Sequence, residues 1–66
     1  MNIGERYKLK EDMKFMCCNY NAFKDDVIVV YSYHSPKRIN ITIEGIRAGI
    51  HTVKASTLNR CGEKIQ

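Results

Sequence analysis

The run Val27-Ile28-Val29-Val30-Tyr31-Ser32-Tyr33 constrains this chain more than any other part of it. Every residue in it except Ser32 is β-branched or aromatic, the side chains that suit a pleated surface and lose freedom in a helix. Its apolar residues are continuous rather than alternating, so it reads as a central strand covered on both faces for part of its length. Lys24-Asp25-Asp26 opens it as a charged turn. His34-Ser35-Pro36-Lys37-Arg38 closes it, because Pro36 has no N–H to give to a ladder and Ser-Pro favours a turn. Such a strand needs neighbours on both sides.

The rest of the chain supplies them. Over residues 5–9, Tyr7 and Leu9 share one face while Arg6, Lys8 and Lys10 share the other. Over residues 38–44, Ile39, Ile41 and Ile43 alternate with Asn40, Thr42 and Glu44. Gly45 and Gly49 bracket a short connection, and over residues 50–55 His51, Val53 and Ala55 oppose Thr52, Lys54 and Ser56. Alternation of period two marks half-buried strands. Residues 56–59 suit one helical turn, and a last short strand after Gly62 is expected to turn Ile65 inward. The expected core is Tyr7, Leu9, Val27, Val29, Ile39, Ile41, Ile43, Val53, Ala55 and Leu58.

Residues 10–23 are ambiguous. Met13, Met16, Cys17 and Tyr20 fall at helical spacing, and Asp12 is placed to cap a helix. Asn19-Tyr20-Asn21 reads instead as a turn, and Phe15 lies off the helical face, which favours a long loop or hairpin. The fold class is therefore mostly β, a small five-stranded barrel that leaves few strand edges exposed. The alternative is α+β, if residues 11–20 form a helix.

The succession of these segments resembles an SH3-like small barrel. Gly4-Glu5-Arg6-Tyr7-Lys8-Leu9 stands as the first strand, followed by the long excursion 10–23 and then Phe23-Lys24-Asp25-Asp26-Val27-Ile28-Val29-Val30 as turn and second strand. Two more strands and a short helical turn precede the closing strand. The resemblance implies the barrel and a binding role. Comparable domains often carry Lys-Gly-Asp before the second strand, where this chain has Lys24-Asp25-Asp26, and Asp tolerates a left-handed backbone better than most residues. The aromatic cluster and acidic loop of the peptide-binding SH3 domains have no counterpart, and there is no Trp. In style the chain is similar to small accessory proteins of phages.

With 66 residues the chain makes one domain, residues 1–66, expected to be a complete small gene product. A domain of this size buries only roughly 60% of its unfolded surface, which argues against a deep catalytic cleft. No apolar run is long enough to span a bilayer, and Met1-Asn2-Ile3-Gly4-Glu5-Arg6 is too polar for a signal peptide. The expected compartment is cytoplasmic. There Cys17, Cys18 and Cys61, odd in number and with two adjacent, are thiols.

No constellation for catalysis stands out. Neither His34 nor His51 is tied to a nucleophile, and Asp25-Asp26 and Glu11-Asp12 suit turns and caps. Adjacent Cys17 and Cys18 lack the spacing of a zinc site, so neither metal nor cofactor is expected. The chain is not expected to be an enzyme. The leading expectation is a small protein-interaction module (adaptor, regulator or inhibitor) that contacts another protein, or a second copy of itself, through Met13, Phe15, Met16 and Tyr20. These residues make the 10–23 segment more apolar than a solvent loop needs, although about half of that segment's apolar residues are expected to serve the core. The alternative is a nucleic-acid-binding barrel using Arg6, Lys8, Lys10, Lys37 and Arg38 beside a stacking Tyr33, which accords with a formal charge of +4.

Overall fold

In the computed structural model the described residues are 1–15, 21–45 and 49–65. They form seven strands and one helix: β1 (Arg6–Leu9), β2 (Met13–Lys14), β3 (Asn21–Ala22), β4 (Val27–Ser35), β5 (Arg38–Ile43), β6 (His51–Lys54), α1 (Ala55–Cys61) and β7 (Gly62–Lys64). The fold is mostly β. Five strands make one antiparallel sheet in the order β6-β5-β4-β1-β7, while β2 and β3 pair separately. The apolar run does become the centre of the sheet, with β5 on one side and β1 on the other. Among the described residues the sheet is open, with β6 and β7 as its two ends rather than paired to each other.

The inner face follows from alternation. Tyr7 and Leu9 of β1, Ile39, Ile41 and Ile43 of β5, and Val53 of β6 are all buried. For β4 the expectation was inverted. Ile28 and Val30 are the core residues, at 0% and 1% exposure, while Val27 and Val29 are half-buried on the opposite face. The pairing explains it: Tyr7 sits opposite Ile28 and Arg6 opposite Val29, so the residues that match the buried side of β1 are the even-numbered ones. Directly opposed residues of an antiparallel pair share a face.

Residues 10–23 do not fold as a helix where they are described. Met13 pairs with Ala22 and Lys14 with Asn21, so the segment leaves and returns as a two-stranded ladder, and the α+β alternative loses its helix there. Met13, Phe15 and Ala22 are buried. The Phe15 ring stacks on His51 with centroids 4.5 Å apart and planes inclined by 24°, closing the core beneath β6. Met16, Cys17, Cys18 and Tyr20 lie outside the described residues.

Helix α1 is longer than the single turn expected. It buries Leu58 and Cys61, three residues apart on one face, and leaves Ala55 half-buried. It ends where Gly62 returns to extended backbone and its N–H donates to the Leu58 carbonyl. Gly62, not Ile65, is the inward residue of the closing segment, since Ile65 is 48% exposed. A Cβ at Gly62 would lie 3.1 Å from the Leu58 carbonyl oxygen and 3.2 Å from the Tyr7 Cβ.

Candidate functional site

The outer face of the sheet carries the polar chemistry, and pairing register decides which side chains meet on it. Ile39 opposes Val53 on the buried side, so Arg38 opposite Lys54 and Asn40 opposite Thr52 stand together on the outside. Asn40 links three strands in one row: its Nδ2 donates to Ser32 Oγ at 3.0 Å, and Thr52 Oγ1 donates to its Oδ1 at 2.7 Å.

The β4–β5 connection is a tight hairpin in which Ser35 pairs with Arg38 and only Pro36 and Lys37 turn the chain. Pro36 fixes the backbone of that turn. The Ala55 N–H donates to the Lys37 carbonyl at 3.0 Å, which fastens the turn to the first residue of α1. Between these parts lies a hollow of about 800 Å³ lined by Ser35, Pro36, Lys37, Arg38, Lys54, Ala55 and Ser56. Among the described residues, three cations and two hydroxyl groups line it and no carboxylate does. Among the described residues Lys37, Arg38 and Lys54 have no ion-pair partner. Like charges directly opposed across a strand pair are destabilising, by roughly 0.2–1 kcal/mol in the range of such pairs. Arg38 facing Lys54 is therefore a cost that folding alone does not explain.

The cations expected on β1 are in a different situation. The Arg6 guanidinium reaches over β4 to Glu44, with Nε to Oε2 at 2.8 Å and Nη2 to Oε1 at 2.6 Å. Lys8 lies opposite Glu63. A second, smaller hollow of about 380 Å³ contains Lys8, Lys10 and Lys24, but also Asp25 and Glu63. On this side of the sheet acidic neighbours offset the basic ones. Three strand spacings, roughly 15 Å, separate β1 from β6.

Of the residues singled out from the sequence, the structure therefore brings Lys37 and Arg38 together and leaves Arg6, Lys8 and Lys10 elsewhere. Tyr33 is 56% exposed on β4, two residues before Ser35, and its hydroxyl donates to the Met1 carbonyl at 2.8 Å. Tyr31, 54% exposed, falls where the β4–β5 register shifts. Met13 and Phe15, at 1% and 2% exposure, belong to the core, so as folded they offer no surface to a partner. Lys54, Ser35 and Ser56 were missed. Lys54 was visible as the polar side of an alternating strand, but its neighbour across the ladder was not.

A separate charged cluster fastens β7 to the start of β1. Glu5 Oε2 meets Lys64 Nζ at 2.6 Å, while Glu5 Oε1 accepts from the Asn2 N–H and from the Tyr7 hydroxyl. The Lys64 ammonium, joined by the Asn2 N–H, lowers the Glu5 carboxyl from 4.5 to about 2. Burial, then the Glu5 carboxylate, pushes the Tyr7 phenol up. At the opposite end of β7, buried Cys61 donates its thiol to Glu11 Oε1 at 3.4 Å. Among the described residues no three His, Cys, Asp or Glu side chains gather as metal ligands would, and no helix is long and apolar enough to cross a membrane. Comparisons with protein-family models, with curated proteins and with solved structures find no significant match to this chain.

Proposed function

We propose that this chain is a non-enzymatic binding module of SH3-like type that holds single-stranded nucleic acid on the basic hollow between the β4–β5 turn and the start of α1. One observation carries the reading: Lys37, Arg38 and Lys54 line a single concavity with no acid among its described lining residues. Such unpaired cations hold a polyanion by neutralising its phosphates, which releases the polyanion's condensed counterions into solution. Exposed Tyr31 on the adjoining strand offers a flat ring on which a base stacks, the usual complement to a basic groove on a small β domain, whereas Tyr33, opposite buried Ile39, belongs to the other face. The SH3-like reading is supported by strand order. A three-strand meander β4-β5-β6 is extended by the first and last strands, with an excursion after β1 and a short helix before β7, as the sequence resemblance implies.

The test is the salt dependence of oligonucleotide binding. Three phosphate contacts to a single strand give a slope of log K against log salt of about −2. Lys37→Gln, Arg38→Gln and Lys54→Gln each flatten that slope, by about 0.7 apiece. Lys8→Gln leaves it unchanged. A slope near zero for the unaltered protein, or an equal effect of Lys8→Gln, contradicts the proposal.

A protein partner is the second reading, and one feature favours it. Phe23 is 58% exposed at the end of the excursion whose other described large apolar residues, Met13 and Phe15, are buried. An exposed ring at that point suits an apolar contact with another protein or with a second copy. Phe23→Ala that abolishes capture of a protein partner while oligonucleotide binding is absent would put this reading first.

A further inference from the structure

We infer that the hollow formed by Lys37, Arg38 and Lys54 seats the terminal phosphate of a strand, a phosphomonoester, in preference to the phosphodiesters inside it. This rests on the anion-binding reading above and asks which phosphate is held.

The arrangement of charge is what selects. Arg38 and Lys54 are directly opposite each other in the β5–β6 ladder, and Lys37 is the chain neighbour of Arg38 in the turn. Opposed residues of an antiparallel pair have Cβ atoms about 5 Å apart, and all three cations line one hollow rather than marking out a track. Among the described residues no track continues from them across the sheet. The next row on the outer face is Ser32, Asn40 and Thr52, uncharged and hydrogen-bonded to one another. Beyond it Arg6 is engaged by Glu44, whose carboxylate would repel a phosphate backbone crossing there. Among the described residues, an extended diester chain meets cations without acidic neighbours at one end of the sheet only.

A terminal phosphate suits that point. It carries about −1.5 to −2 charges near neutral pH and three free oxygens, where a diester carries one charge. The Arg38 guanidinium is able to bond two oxygens in parallel. Lys37 and Lys54 add point charges, and the hydroxyls of Ser35 and Ser56 in the same lining are further donors. The volume of about 800 Å³ exceeds what a phosphate fills and leaves room for the nucleotide attached to it.

The experiment compares single strands of one sequence, about 12 nucleotides long, bearing a 5′-phosphate, a 3′-phosphate or hydroxyls at both ends. Fluorescence anisotropy reads their binding in about 0.1 M salt, where exposed charges are only partly screened. At least one phosphorylated end is expected to bind about tenfold more tightly than the strand without one, because the added charge faces three cations. The preference disappears in Arg38→Gln with Lys54→Gln, whose circular dichroism stays that of the parent. It also shrinks as the pH falls below about 6, where the monoester takes up its second proton.

Equal binding of all three strands overturns the inference and leaves the nucleic-acid reading standing. No binding by any strand overturns both. A preference that survives Arg38→Gln with Lys54→Gln overturns the placement of the site. A nucleoside 5′-monophosphate that competes at the concentration of the phosphorylated strand reassigns the hollow to a free nucleotide, and overturns the strand-end inference.

Discussion

At Asp25 the backbone takes a left-handed φ of 75°, where most side chains are strained. Asp is among the residues that bear it best, and the turn is held by its neighbours: the Phe23 N–H donates to Asp26 Oδ2 and the Lys24 N–H to Asp12 Oδ1. Asp25→Gly is expected to raise stability by up to about 1 kcal/mol, and Asp25→Val to lower it by about 1–2 kcal/mol, both readable by urea denaturation. The sign for Glu5 follows from its environment. Its folded pKa of about 2 lies below the ordinary 4.5, so the stability it contributes is fully present above 4.5 and is lost as the pH falls toward 2. Thermal melts across that window should show a decline that Glu5→Gln flattens. Arg38 and Lys54 obey the opposite logic, since relieving a like-charge pair should stabilise the free protein. Lys54→Thr is predicted to raise the unfolding midpoint slightly while weakening oligonucleotide binding, a combination that a merely structural lysine would not produce.

Among the elements, how legible each strand was depended on its pattern. Strict alternation in β1, β5 and β6 identified their inner faces correctly, because a slip of one residue would place every Ile of β5 in water. Val27-Ile28-Val29-Val30 has no polar residue to mark a face, so its orientation is set by pairing with β1, which local sequence does not encode. For the same reason Lys37 and Arg38 were readable as a basic turn, while their meeting with Lys54 depends on the β5–β6 register. On β1 the basic residues are exposed or half-exposed as expected, but the sequence did not show that Glu44, 38 residues away just beyond β5, engages Arg6. Gly62 shows what tight joining of α1 to β7 requires. Gly62→Ala is expected to cost about 1–3 kcal/mol, because the Leu58 carbonyl and Tyr7 must shift to admit a methyl group. Matching that loss against an Ala substitution at exposed Glu63, expected to be within about 0.5 kcal/mol, would attribute it to packing.

The whole molecule divides its labour between the two faces of one sheet. The inner face, closed by Phe15, Met13 and α1, is the only described core. A domain of this size has about 3–10 kcal/mol of total stability, and Ile28→Ala, which empties its centre, is expected to remove about 2–5 of it. Among the described residues, the outer face offsets charge against charge at the β1 end and leaves three cations without an ion pair at the other. A net charge of +4 by itself does not locate a binding surface; its uneven distribution does. The claim that this end of the sheet is the binding surface is tested most directly by amide chemical shifts during titration with a single-stranded oligonucleotide. The expected result is a set of saturating shifts confined to residues 31–38 and 52–56, with residues 6–10 and 63–65 unmoved. Shifts centred on Arg6, Lys8 and Lys10, or none at all with oligonucleotide in excess, would contradict it.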